Sequence, residues 1–76
     1  MSPKLPVLSA DELVKALEKF GYVVVRQKGS HIRLRHSSDP QRQPLTIPRH
    51  KMLKRGLLRR IVGDARMTVE QLTDAL

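Results

Sequence analysis

Residues Tyr22 to His36 leave the chain little choice of local structure. Tyr22-Val23-Val24-Val25-Arg26-Gln27 is β-branched and alternating, Lys28-Gly29-Ser30 offers a short turn in which Gly29 can take a positive φ, and His31-Ile32-Arg33-Leu34-Arg35 alternates again. Two such runs joined by a glycine turn specify an antiparallel hairpin. On the first strand the period of two sets Val23 and Val25 on one side and Tyr22, Val24 and Arg26 on the other. Tyr22 and Val24 are expected on the open sheet face, as a hint of a partner surface. On the second strand Ile32 and Leu34 share one face and His31, Arg33 and Arg35 the other. That division suits an antiparallel sheet with helices on one side only, so His31 is expected to point out of the core between fixed cations.

The flanking segments supply the helices. Ser9 reads as an N-cap with Glu12 completing a capping box and Leu8 stapling to Leu13, while Leu13, Val14, Leu17 and Phe20 recur at helical spacing until Gly21 stops the helix. After the hairpin, Ser37 to Gln43 is a loop, and Leu45-Thr46-Ile47 between Pro44 and Pro48 is a brief edge strand. Gly56 weakens the helical reading of the basic passage that follows, but Leu57, Leu58, Ile61 and Val62 form a second apolar stripe. Thr68 and Gln71 repeat the capping box, with Met67 stapling to Leu72, and open a last short helix. The order α-β-β-β-α plus a short C-terminal helix specifies an α+β, two-layer domain around a three-stranded antiparallel sheet.

Length and charge bound what such a domain does. Seventy-six residues allow one domain, spanning 1–76, with one small core. There are no cysteines, so disulfides and cysteine-based zinc sites are excluded. No apolar run approaches the ~18 residues of a membrane span, and Met1 to Pro6 lacks a signal-peptide core, so a soluble, cytoplasmic protein is expected. The net charge is +8, and the cations are concentrated between Arg26 and Arg60, where Asp39 is the sole acid. A field clustered in this way favours nucleic acid, an acidic protein or anionic lipid over a neutral substrate.

The chemistry open to these residues narrows quickly. His31, His36 and His50 include no i, i+4 pair, so no metal and no cofactor is expected. No glycine-rich phosphate loop is present. A Ser30-His31-Asp39 triad fails because neighbouring strand residues point to opposite faces. A phosphodiester site survives. Metal-free RNA cleavage requires a base for the 2′-hydroxyl proton, an acid for the leaving 5′-oxygen and cations for the developing charge. Histidine titrates in the right range for both proton steps, and arginines hold phosphate bidentately. His31 is the catalytic candidate, with Lys28, Ser30, Arg33, Arg35, Arg49 and His50 as RNA contacts. His50 is also the natural second proton carrier, and His36 is expected to be structural. A non-catalytic RNA-binding module, or a basic face that docks an acidic protein, are the alternatives from other classes.

Four stretches carry a family likeness: Leu17-Glu18-Lys19-Phe20-Gly21-Tyr22, Arg26-Gln27-Lys28-Gly29-Ser30-His31, Leu45-Thr46-Ile47-Pro48-Arg49-His50 and Leu53-Lys54-Arg55-Gly56-Leu57-Leu58-Arg59-Arg60-Ile61. From Ser9 or Asp11 to about Met67 the chain resembles the HicA, or YcfA-type, mRNA interferase toxins. The resemblance implies a fold like a double-stranded-RNA-binding domain, a catalytic histidine at His31, cleavage of messenger RNA and neutralisation by a HicB-like antitoxin. The chain departs from the family pattern at Ile32, where a second histidine is common, at Leu57 in place of threonine and at Arg66 in place of glycine.

Overall fold

Ser9 sets the first helix, α1 (Ala10–Lys19), in the computed structural model, which describes residues 4–76. The Ser9 N–H donates to Glu12 Oε1 (3.0 Å) and the Glu12 N–H donates to Ser9 Oγ (3.2 Å), closing the expected capping box. The same backbone bond holds the Glu12 carboxyl below its ordinary range. Leu13, Ala16 and Leu17 are buried, and Val14 and Phe20 pack against them half-covered. The helix ends where Gly21, at φ +94, donates its N–H to Glu18 O (3.1 Å). Met1 to Pro3, part of the leader reading, lie outside the described residues.

Three strands follow: β1 (Tyr22–Lys28), β2 (His31–His36) and β3 (Leu45–Pro48), paired antiparallel in the order β1-β2-β3. Lys28 pairs with His31 across the two-residue turn Gly29-Ser30, and Gly29 takes φ +57. Ile32 and Leu34 are buried, as are Leu45 and Ile47 on β3, while His31, Arg33 and Arg35 are exposed. The division of β2 is the one alternation specified.

The first strand departs from its expected pattern in two ways. Tyr22 is not on the open face: it is buried, its ring meets the His36 ring edge-on at 5.0 Å, and its hydroxyl donates to Gln43 O (2.8 Å). Burial raises the phenol above its ordinary pKa. Tyr22 opposes His36 on the core side, and an aromatic ring with one polar tip fits there because that tip has a carbonyl to bond. Secondly, the register shifts between Val24 and Arg26. Val24 pairs with Leu34 and Arg26 with Arg33, so Val25 is an extra residue in a β-bulge. Beyond it the parity of β1 is reversed, and Arg26 stands on the face of Arg33 rather than that of Tyr22.

Two helices close the other side. α2 (Arg55–Asp64) buries Leu58, Ile61 and Val62, and α3 (Val69–Asp74) buries Leu72. α2 begins one residue before Gly56, because burial of its leucines outweighs a propensity cost of ~1 kcal/mol. Thr68 and Gln71 form the second capping box (2.9 and 3.0 Å). Lys19 Nζ donates to Ala75 O (2.7 Å) and ties the end of α3 to α1. The sheet and helices share one core, and each fully buried leucine or isoleucine in it contributes ~1.5–3 kcal/mol relative to exposure.

The end of α2 carries a testable strain. Arg66 has φ 54, with its N–H bonded to Gly63 O (3.0 Å) and the Met67 N–H to Val62 O (3.0 Å). These are the two bonds of a Schellman cap, whose left-handed residue is ordinarily glycine. Arg66→Gly is expected to raise stability by about 0.5–1 kcal/mol in urea unfolding, since the left-handed cost of a side chain there outweighs the added freedom of glycine. An unchanged or lower midpoint would contradict the cap geometry.

Candidate nucleic-acid interface

The open face of the sheet is built by residues whose parity the bulge decides. Reading across β1 and β2, it holds Val23 beside Arg35, Arg26 beside Arg33 and Lys28 beside His31, and β3 adds Thr46 opposite Arg33 and Pro48 opposite His31. Val25, Arg26, Lys28, His31, Arg33, Arg35 and Thr46 line an open concavity of about 660 Å³. Four cations and one histidine thus share a surface with no carboxylate in its lining. Among the described residues the ion pairs are Arg42 with Asp39 and Arg49 with Asp11, so the four cations of this face have none. Arg33 is oriented by its Nη1 bond to Thr46 Oγ1 (2.8 Å).

His31 sits at the turn end of β2 with Lys28 directly across β1. Cβ atoms of such partners are ~5 Å apart, close enough for both side chains to meet one phosphodiester. Arg33 is two residues along the same face, ~7 Å away. A phosphate resting there meets a proton acceptor on one side and guanidinium or ammonium groups on the others, in a site that is exposed and requires no core rearrangement.

The remaining sequence candidates fall around this face. Ser30 is in the exposed hairpin turn beside His31. Arg49 lies just past β3, its N–H bonded to Ser30 O (2.6 Å) and its Nε 3.9 Å from Asp11 Oδ1, so it stands at the rim and leans towards α1. His50 is exposed outside the concavity lining, and its carbonyl accepts from the Ala10 N–H (3.0 Å), which joins it to the start of α1. His36 has the structural setting expected of it. Its Nδ1 accepts the N–H groups of Ser38 (3.2 Å) and Asp39 (2.9 Å), which makes Nε2 the protonated nitrogen, donating to Phe20 O (2.6 Å).

Sequence reasoning missed Arg26, Val25 and Thr46 as parts of this surface. Alternation with Tyr22 on the open face set Arg26 there as well without marking it as a contact. A buried Tyr22 and an open Arg26 on one strand are made compatible by the bulge between Val24 and Arg26, which no short-range pattern marked. Among the described residues, no three His, Asp or Glu side chains gather to hold a metal ion, and no helix is long and apolar enough to cross a membrane.

An α-β-β-β-α chain with its helices on one side of an antiparallel sheet and a basic, histidine-bearing face on the other has the architecture of the double-stranded-RNA-binding-domain class. A family model described as the HicA toxin of bacterial toxin–antitoxin systems matches residues 10–67, and the chain belongs to that family. It is a toxin whose family implies an antitoxin partner. No curated protein and no solved structure gives a significant match.

Proposed function

We propose that this chain is a metal-independent mRNA endoribonuclease that halts translation in the cytoplasm, acts as one domain over residues 1–76, and is held inactive by a HicB-like antitoxin. The observation that carries the reading is His31 standing among Arg26, Lys28, Arg33 and Arg35 on an open face free of acids. A neutral His31 imidazole takes the proton of a ribose 2′-hydroxyl, and the 2′-oxygen bonds to the adjacent phosphorus to close a 2′,3′-cyclic phosphate as the bond from phosphorus to the 5′-oxygen breaks. The departing 5′-oxygen is protonated by solvent water at this open face. Arg26 and Arg33 hold the non-bridging oxygens where negative charge grows. Lys28, across the ladder from His31, is the cation best placed to meet the leaving oxygen. With His36 committed to the backbone and His50 outside the concavity, a single histidine and its cationic neighbours carry the chemistry. Ser30, Arg35, Arg49 and His50 extend the contact to flanking phosphates.

The antitoxin is expected to cover this same face. Val23, opposite Arg35, and Val25, in the lining of the concavity, are each more than 40% exposed beside the cations, whereas Val24 pairs with Leu34 on the other side of the sheet. Apolar residues at a charged sheet edge fit a partner that is acidic and presents apolar side chains of its own.

Binding should be strongly electrostatic. Four phosphate contacts at ~0.7 each give a slope near −2.8 in log K against log salt, so affinity for single-stranded RNA falls about fifty-fold between 50 and 200 mM. Fluorescence anisotropy of a labelled RNA over that range tests the reading. A slope near zero would remove the cationic face as the binding surface.

A further inference from the structure

The cationic surface does not end at Arg35. That residue also lines a second open concavity, of about 510 Å³, together with Ser37, Ser38, Asp39 and Arg42 in the loop between β2 and β3. We propose that Arg35, Ser37, Ser38 and Arg42 form a second phosphate-binding subsite, and that single-stranded RNA runs along β2 from His31 to Arg42. The inference rests on the reading of the His31 face as the RNA-cleaving site and adds Ser37, Ser38 and Arg42, which that reading does not use.

The loop is built to hold a position. His36 Nδ1 fixes the Ser38 and Asp39 N–H groups, Asp39 Oδ1 accepts from the Gln41 N–H (2.9 Å), and the Ser37 N–H donates to Gly21 O (2.9 Å). Its far end is tied twice at Gln43, by Tyr22 through the carbonyl and by Asp64 O through the N–H (3.0 Å). Within this frame Arg42 Nε lies 3.4 Å from Asp39 Oδ2, with the arginine side chain only 23% exposed. One edge of the guanidinium is therefore held, while its remaining donors are available to a phosphate. Ordering such an arginine beforehand removes most of the entropy cost of its use. The hydroxyl-bearing Ser37 and Ser38 are exposed beside it.

One other path and one other substrate are less suited. A smaller concavity of about 270 Å³ leads from Arg33 over β3 to Arg60, but Asp64 lines it. Among the described residues that carboxylate has no ion-pair partner, whereas Asp39 in the loop is neutralised by Arg42. Both paths carry a carboxylate, but the unpaired Asp64 repels an approaching phosphate more than Asp39, whose charge is offset by the Arg42 guanidinium 3.4 Å away. A duplex is disfavoured for a different reason. The sheet is three strands wide, ~10 Å between its outer strands, and its concavity is walled by side chains, whereas dsRNA is gripped across successive minor grooves over ~16 base pairs. From His31 to His36 the strand rises ~17 Å, long enough for more than one nucleotide of extended chain.

The test compares uncleavable 2′-O-methyl RNAs of about 4 and about 12 nucleotides, bracketing the site sizes of small single-strand binders, by anisotropy with the full chain. The long RNA is expected to bind more tightly. Arg42→Gln should remove most of that advantage and lower the salt slope by about 0.7, while Arg60→Gln has the smaller effect. If Arg42→Gln melts early, Ser38→Asp substitutes for it: the position is exposed, its backbone bond to His36 is kept, and the new charge should cut binding of the long RNA. Equal binding of both RNAs by the parent chain, no loss in these variants, a larger loss in Arg60→Gln, or tighter binding of a duplex of the same length overturns the subsite. Failure of the parent to bind any RNA overturns the reading of the His31 face, and the subsite with it.

Discussion

His31→Ala is expected to lower RNA cleavage by about 10²–10⁴-fold, the usual contribution of a positioned general base, and to abolish growth arrest. Melting temperature and far-UV circular dichroism should stay close to those of the parent. The imidazole is exposed, makes no hydrogen bond within the described residues, and stands on the face opposite the core formed by Ile32 and Leu34. Surface substitutions of that kind usually change stability by less than ~0.5 kcal/mol. RNA binding should persist, because Arg26, Lys28, Arg33 and Arg35 remain. That combination separates an enzyme from a non-catalytic RNA-binding module. A variant that still cleaves at the parental rate removes His31 from the mechanism. A variant that neither binds nor cleaves assigns it to binding alone.

Gly21→Ala should have the largest effect on stability. The residue takes φ +94, and a Cβ built on it would lie 2.8 Å from His36 Nε2 and 3.0 Å from His36 Cε1. His36 has little room to yield, since both ring nitrogens bond the backbone and the ring stands against Tyr22. Backbone strain of ~1–3 kcal/mol adds to overpacking of similar size, giving a loss of about 2–4 kcal/mol and a melting temperature roughly 10–20 °C lower for a domain of this length. Gly29→Ala is the natural control, because φ there is +57 but a Cβ meets nothing within 4 Å. It should cost only the strain, about 1–2 kcal/mol. Equal losses at the two glycines would show that the collision with His36 does not matter.

Those two glycines also mark how much of the molecule was readable in advance. Patterns written in short range were legible: both capping boxes, the Gly29 turn, the alternation of β2 and the apolar stripes of α1 and α2 each depend on residues a few positions apart. From them came the α+β order and the outward direction of His31. Two features were not legible because they depend on how strands meet. The bulge at Val25 is a property of the β1 and β2 register, and it carries Arg26 from the face of Tyr22 to that of His31. The burial of Tyr22 depends on Gln43, twenty-one residues away, offering its carbonyl to the hydroxyl. Arg66 was visible as a departure from the family pattern, but its left-handed backbone was not, since α2 ends there through bonds that only the folded cap reveals.

In the proposed reaction His31 and its cationic neighbours cleave RNA through the substrate's own 2′-hydroxyl. The most direct test incubates the purified chain, in excess EDTA, with a single-stranded RNA and with the same sequence lacking the 2′-hydroxyl at the cleaved nucleotide. The expected result is cleavage of the RNA at an undiminished rate, with a 2′,3′-cyclic or 3′-phosphate on the upstream product, and no cleavage of the deoxy-substituted strand at that position. Loss of activity in EDTA, or cutting of the deoxy-substituted site, would contradict it.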